Sequence, residues 1–362
     1  MSYISSVGIS TPEHNLSQND VKQFVTANFP RPKRDIERLL PIFENANISN
    51  RQFVVEQSWF EREHSFEERN SLYQQKAIEH GERAINHCLT NTDFLTKTIP
   101  YEAVDAIIFV SSTGISTPSI DAHLLNRNKF RDDVVRIPLW GLGCAGGASG
   151  LARAKDWLTS HTKSCVLVVC VELCSLTFQK DDSKKSNFIG TALFGDGIAA
   201  ALVIGEESSF LNNRRGLSPK IGLTSSKLKK DSLDVMGWDF TGHGFEVVFS
   251  KSIPQLVNTF WKEHLEIFLQ ELGLTRKDIP FFVAHPGGKK VLEAMEGVLE
   301  ITSEALDHSY QVLNRHGNMS SSTVLYILAE WMKEDISAGE KSILSALGPG
   351  FSSELLSLEW SS

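Results

Sequence analysis

Three side chains far apart in this 362-residue sequence have the types needed for acyl transfer: Cys144, His285 and Asn318. Cys144 lies in 141-GLGCAGGASGLARAKDWL-158, a Gly-rich turn that reads as entering a helix. A thiol at a helix N-terminus feels unpaired backbone N–H groups, which favour the thiolate, and a neighbouring imidazole favours it further. Gly143, Gly146 and Gly147 permit a tight turn and close approach of a substrate. His285 ends an apolar run in 283-VAHPGG-288, at a strand end where loops usually carry sites. Asn318, in 317-GNMSSS-322, carries an amide N–H that can donate to a developing oxyanion. Each has a blander reading when taken alone: a buried core cysteine, a structural histidine, a helix N-cap.

A repeat joins them. Shifting the chain by 174 residues lays Cys144 on Asn318, Ser111 on His285, Gly114 on Gly288, Gly143 on Gly317 and Trp157 on Trp331. The same shift lays 106-AIIFV-110 on 280-PFFVA-284, and the run at Val166 on 340-EKSILSAL-347. Each half then carries a strand, a Gly loop, a Gly-led turn, a helix and a further strand. Two halves packed about a pseudo-twofold axis would bring the Cys144 and Asn318 turns face to face, with His285 beside them.

The elements around the site are legible as short β-branched runs: Tyr3 to Ile9, 105-DAIIFVSSTG-114, 166-VLVVCVEL-173 and 198-IAAALVIG-205. Residues 15 to 90 read as mostly helical and strongly charged. Residues 206–233 are polar, contain Gly and Pro, and read as the linker between halves. Lys227, Lys229 and Lys230 within it read as solvated surface. Two α/β units are expected, residues 1–215 with the cysteine and residues 216–362 with the histidine and asparagine.

Composition narrows the function. The chain has 41% hydrophobic and 22% charged residues, as ordinary globular proteins do, which excludes a largely disordered chain. Thirty-six Lys and Arg against 44 Asp and Glu give a net charge of -8, which argues against a general nucleic-acid binder. A few local cations still suffice for a small anionic ligand. Five cysteines without metal spacing, no basic leader and no apolar stretch of membrane length point to the reducing cytoplasm, with no metal and no membrane span expected.

GCAGG around Cys144, FGDG from Phe194, HPGG from His285, GNMSS from Gly317 and GPGFSSE from Gly348 resemble the chalcone synthase-like, type III polyketide synthases. The motifs cover most of the chain in family order, and 60-FEREHSFEERN-70 is most similar to bacterial members that make alkylpyrones. The resemblance implies a thiolase-like, duplicated αβαβα-αβαβα five-layer fold, a homodimer, acyl-CoA and malonyl-CoA substrates and no cofactor. It implies that Cys144 carries the starter acyl group. His285 and Asn318 would bind the malonyl thioester carbonyl and stabilise the enolate as CO2 leaves, and His285 would keep the thiol ionised. The enolate then attacks the acyl-Cys144 thioester, and repeated cycles give a triketide or tetraketide that closes to an α-pyrone.

Other positions carry over singly. Phe194 matches a gatekeeper aromatic; Thr177 and Ser320 match cavity positions; Trp238 and Met236 are further cavity candidates. Val247 stands where the family usually has a second gatekeeper Phe, and the smaller side chain implies a wider cavity and a long aliphatic starter. Thr117 matches a dimer-interface position beside the partner's cavity. Arg51, Gly287 and Gly288 are the expected CoA contacts.

Rival readings share parts of this set. A ketoacyl-carrier-protein synthase III has Cys, His and Asn but condenses once, and HPGG is not its His context. A hydroxymethylglutaryl-CoA synthase needs a Glu general acid, for which no context is evident. A papain-like protease places its His and Asn roughly 130–150 residues beyond its Cys. Here the intervals are 141 and 174, so spacing does not separate the two; the missing C-G-S-C-W context and the repeat do. A binding protein on the same fold would have no need of the complete set.

Overall fold

The aliphatic runs become strands of one large sheet. The computed structural model describes residues 1–361. Its strands are β1 Ser2–Ser10, β2 His14–Ser17, β3 Asn50–Phe53, β4 Ala106–Ser111, β5 Val135–Trp140, β6 Cys165–Leu173, β7 Asp196–Gly205, β8 Ser218–Leu228, β9 Met236–Thr241, β10 Gly244–Phe249, β11 Phe281–Ala284, β12 Lys341–Gly348 and β13 Ser352–Ser361. Nine of them form a sheet in the order β11-β12-β13-β8-β1-β7-β6-β4-β5. β9 pairs with β10 and β2 with β3 as separate ribbons.

The duplication is visible in the pairing. Counting outward from β1, the neighbours β7, β6 and β4 are joined by antiparallel, antiparallel and parallel steps. Counting outward from β8, the neighbours β13, β12 and β11 repeat the same three steps. β1 and β8 meet antiparallel at Ser2–Ile221 and Tyr3–Lys220, which joins the two sets. β5 has no counterpart and forms an exposed edge.

The register corrects one detail of the repeat. Phe109 pairs with Val169, and Phe282 pairs with Ile343. β6 and β12 therefore correspond at an offset of 174, but β4 and β11 at 173. His285 corresponds to Ser112 rather than Ser111. The faces agree: Phe109 and Phe282 belong to the outer clusters, Val110 and Val283 to the central one. A one-residue slip inverts the faces of a strand, so the side-chain pattern fixes the pairing.

Alternation sorts side chains into three apolar layers. In β6, Leu167 and Val169 point to an outer cluster with the long helix Phe66–Thr90, while Val166, Val168 and Cys170 point to the central one. The central cluster takes side chains from β4, β6 and β7, from β12 and β13, and from the helices Gly146–Ser160 and Thr323–Trp331. A third cluster packs the helices Lys262–Leu272 and Lys289–Leu299 on the far face of β11 and β12. Helix, sheet, helix, sheet and helix thus stack in five layers, as the resemblance implied. The two central helices meet at backbone distance: a Cβ on Gly147 would run into the Ser321 carbonyl oxygen.

The expected linker at 206–233 is overturned for much of its length. β8 lies within it and pairs with β1 and β13. It reads as polar because its hydroxyls serve buried partners: Ser225 Oγ meets His264 Nε2, and Ser226 Oγ donates to Glu354. Lys227 pairs with Glu263 on the surface, as expected of a solvated group. The stretch 15–90 is mainly helical, interrupted by the β2–β3 ribbon.

Candidate active site

Cys144 sits in a single 3-10 turn, Gly143–Ala145, that leads directly into the helix Gly146–Ser160. The Gly143 N–H donates to Ser112 Oγ at 3.0 Å, which fastens the turn to the end of β4. Asn318 lies at the equivalent entry to the other central helix. Its N–H donates to the Leu193 carbonyl at 2.8 Å and its own carbonyl accepts from Gly195 N at 3.0 Å. Gly317 makes that close passage possible: its φ is +69°, and a Cβ there would lie 2.8 Å from the Leu193 oxygen.

The side chains then meet. Cys144 Sγ donates to Asn318 Oδ1 at 3.8 Å, across the two halves. Asn318 Oδ1 also accepts from Ser320 N at 2.8 Å, and Nδ2 donates to the Gly287 carbonyl at 3.0 Å. His285 is anchored by its N–H to the Ser345 carbonyl at 2.8 Å, while both ring nitrogens are buried without a partner among the described residues. Two unpaired polar atoms in a buried ring are what a substrate oxygen can satisfy.

Burial governs the charges. It pushes the Cys144 thiol up to about 12, against smaller opposing help from Ser320, and it pushes His285 down to about 3. The expectation that the helix N-terminus alone would favour the thiolate is therefore corrected: losing water costs more than the turn's N–H groups return. Ionising either group alone is unfavourable. Were the thiol proton moved onto an adjacent imidazole, both charges would form together, and their mutual attraction would offset part of that cost.

Two chambers flank this point. Phe194, Thr177, Trp238 and Val247 all line an apolar cavity, together with Phe60 and Phe178. Trp238 and Val247 face each other across the β9–β10 hairpin, and the Phe194 and Trp238 rings lie 6.0 Å apart. Ser320 belongs instead beside the thiol. The second chamber is a surface recess lined by Arg38, Lys185, Lys251, Lys289 and Lys290, with no acidic residue in its wall. Gly287, Gly288 and Leu193 form its inner end. Leu193 thus faces the recess and Phe194 the cavity, with Asn318 alongside both.

Two expectations fail, and one residue lies outside this chain's own cavity. Arg51 is not a CoA contact: it is fully buried and donates to the carbonyls of Thr191 at 2.5 Å and Phe194 at 3.0 Å and to Gln18 Oε1 at 2.6 Å. Burial lowers its pKa to about 9, opposed by nearby Asp196. Met236 packs in the outer cluster of the second half and does not line the cavity. Thr117 is exposed in a surface recess with Ile115 and Trp140, outside this chain's cavity. Sequence reading also missed the five recess cations and the buried Glu172. The signals available were a Lys pair directly after HPGG and a single charge inside an otherwise apolar strand.

The chalcone and stilbene synthase N-terminal domain model matches residues 3–208, and the C-terminal domain model matches residues 223–359. The chain belongs to the chalcone and stilbene synthase family. It is a type III polyketide synthase, a decarboxylating, condensing acyltransferase with the thiolase-like fold. It is 48% identical over 99% of both chains to a protein of Bacillus subtilis (strain 168) named "Putative chalcone synthase". It is 34% identical to the 1,3,6,8-tetrahydroxynaphthalene synthase of Streptomyces peucetius subsp. caesius, over 99% of this chain and 93% of that one. The crystal structure of the 1,3,6,8-tetrahydroxynaphthalene synthase of Streptomyces coelicolor A3(2) superposes with a TM-score of 0.89 at 26% identity, over 99% of each chain. Among the described residues, no helix is long and apolar enough to cross a membrane, and no group of three or more His, Cys, Asp or Glu is placed to hold a metal.

Proposed function

We propose that this type III polyketide synthase loads a long-chain fatty acyl-CoA on Cys144, extends it with malonyl-CoA and releases alkyl-α-pyrones. One observation carries the reading: Asn318, in contact with Cys144, is bonded to the segment whose Leu193 lines a basic recess and whose Phe194 lines an apolar cavity. The recess suits the phosphates of CoA and the cavity suits an aliphatic chain.

The thiol proton passes to His285, and the thiolate attacks the starter thioester. The CoA thiolate leaves and takes a proton. Malonyl-CoA then places its thioester oxygen against His285 and the free N–H of Asn318. The carboxylate leaves as CO2, and its bonding electrons pass into an enolate that these donors stabilise. The enolate carbon attacks the acyl-Cys144 carbonyl, a C–C bond forms, and the Cys144 thiolate departs. After further rounds, an enol oxygen displaces the last thioester to close the pyrone.

Residues 1–215 and 216–362 serve as the two halves, each supplying one side of the site. A second copy joins at the β5 edge, where Val135 and Trp140 stand exposed beside Ile115 and Thr117. Five free, buried thiols suit a reducing cytoplasm. The test is mass spectrometry of products from a panel of starter CoAs with malonyl-CoA. Alkylpyrones from long-chain acyl-CoAs, absent with Cys144→Ala, are expected; product from aromatic starters alone would sink the fatty-starter assignment. His285→Gln should slow Cys144 alkylation near neutral pH, because the thiol is then left to its burial.

A further inference from the structure

Glu172 is the one charged side chain in β6 and is fully buried. Its carboxyl gathers donors from both halves of the molecule. Ser112 N donates to Oε2 at 3.1 Å, and Ser321 Oγ donates to Oε1 at 2.5 Å. The Thr113 hydroxyl and the Ser321 N–H lie close enough to favour its charged form. Among the described residues no cation pairs with it, and burial holds its pKa up to about 7 in spite of these donors.

The partners lead to the site by two routes. Ser112 accepts the N–H of Gly143, the residue before Cys144. Ser321 follows Ser320, whose N–H donates to Asn318 Oδ1 at 2.8 Å. The two routes close at the 3.8 Å contact of Cys144 Sγ with Asn318 Oδ1. One carboxyl therefore lies beneath both turns and is bonded to the supports of each.

The repeat supplies an internal control. At the offset that relates β6 to β12, Glu172 corresponds to Ala346, which faces the same central layer. The second half builds the same strand steps with a methyl group at that place. The architecture does not call for a buried acid there, and an acid that must be desolvated is costly to keep.

We propose that Glu172 is a positioning residue for condensation: its carboxyl ties the Cys144 turn to the Asn318 turn across the two halves and so fixes the thiol against the amide. The proposal rests on the assignment of Cys144 as nucleophile. The side chains facing Glu172 are Cys144 from the first turn, Cys170 and Cys174 from β6 and its end, and Tyr73 from the long helix. All are neutral near pH 7, so the clamp works through hydrogen bonds and not through an ion pair.

The test uses the full chain with Glu172→Gln and Ser321→Ala. Gln is close in shape, but its NH2 meets a donor at one arm; Ala removes one hydroxyl and leaves the acid in place. In both, kcat per folded enzyme is expected to fall on the order of tenfold to hundredfold, with KM for starter and malonyl-CoA within about twofold, because a small misplacement acts on the bond-forming step. Stoichiometric loading of the starter acyl group on Cys144, read by intact mass, should persist; a merely structural defect would lower it together with the thermal midpoint. Wild-type kcat in both variants would overturn the proposal, as would a loss matched by the unfolded fraction. Should Glu172→Gln fail to fold, Ser321→Ala decides alone. Product made by Cys144→Ala would refute the nucleophile assignment, a result separable from either outcome at Glu172.

Discussion

Gly190→Ala puts the fatty-starter reading under direct strain. Gly190 lies in the helix Lys185–Leu193, and Phe194 N donates to its carbonyl at 2.8 Å. A Cβ at Gly190 would stand 3.3 Å from Phe194 Cδ2 and 3.3 Å from Val247 Cγ1, the two cavity positions most tied to starter size. Each neighbour must give by a few tenths of an ångström. In the empty enzyme both can yield toward open cavity, and Ala in place of Gly in a helix contributes about 0.5–1 kcal/mol. With a long chain in the cavity that escape is closed, and overpacking costs about 1–3 kcal/mol. That difference corresponds to roughly a fivefold to 150-fold loss in kcat/KM for long starters relative to short ones. The assay is competition between a long-chain and a short-chain acyl-CoA at fixed malonyl-CoA, with products counted by mass spectrometry. An unchanged product ratio in a variant with an unchanged thermal midpoint would refute the claim that the chain passes between these three residues.

Two further outcomes follow from the flanking regions. Removing Lys289 and Lys290 together should raise KM for both CoA substrates about fivefold to thirtyfold at low salt, since two exposed contacts sum to about 1–2 kcal/mol. Steady-state kinetics with a phosphate-free pantetheine-type thioester is the control, and its KM should not move. Arg51→Met should destabilise the fold by about 2–5 kcal/mol, because two carbonyls and Gln18 Oε1 lose a buried donor. Urea unfolding measures it, and KM for CoA substrates of the folded enzyme should stay unchanged, which separates a scaffold role from CoA contact.

Cys144, His285 and Asn318 were legible because each is marked locally, by a Gly-led turn or by a strand end, and because the repeat aligns two of the marks. The strands β4, β6 and β7 were legible because both their faces are buried and so nearly every position is apolar. β8 escaped because its polar side chains look like solvated loop until their partners, His264 and Glu354, are seen across the sheet. Arg51 misled for a related reason. An arginine held by backbone carbonyls and a glutamine 33 residues away has no signature in its own neighbourhood. The recess cations come from four separate stretches, and only folding assembles them. The one-residue slip between β4 and β11 lay below the resolution of a fixed offset.

Leu193 and Phe194 are adjacent in sequence, yet one looks into the recess and the other into the cavity. The backbone between them is stitched to Asn318. The two chambers therefore share a party wall, and the wall is part of the reacting centre. A substitution that reshapes the wall to change the tail it admits will also disturb grip on the head group and the placement of the amide. Variation at Trp238 and Val247 carries no such linkage, because both line the cavity and neither lines the recess, unlike Phe249 at the end of the same hairpin. New starter preferences should accumulate at those two positions first, leaving the wall as inherited.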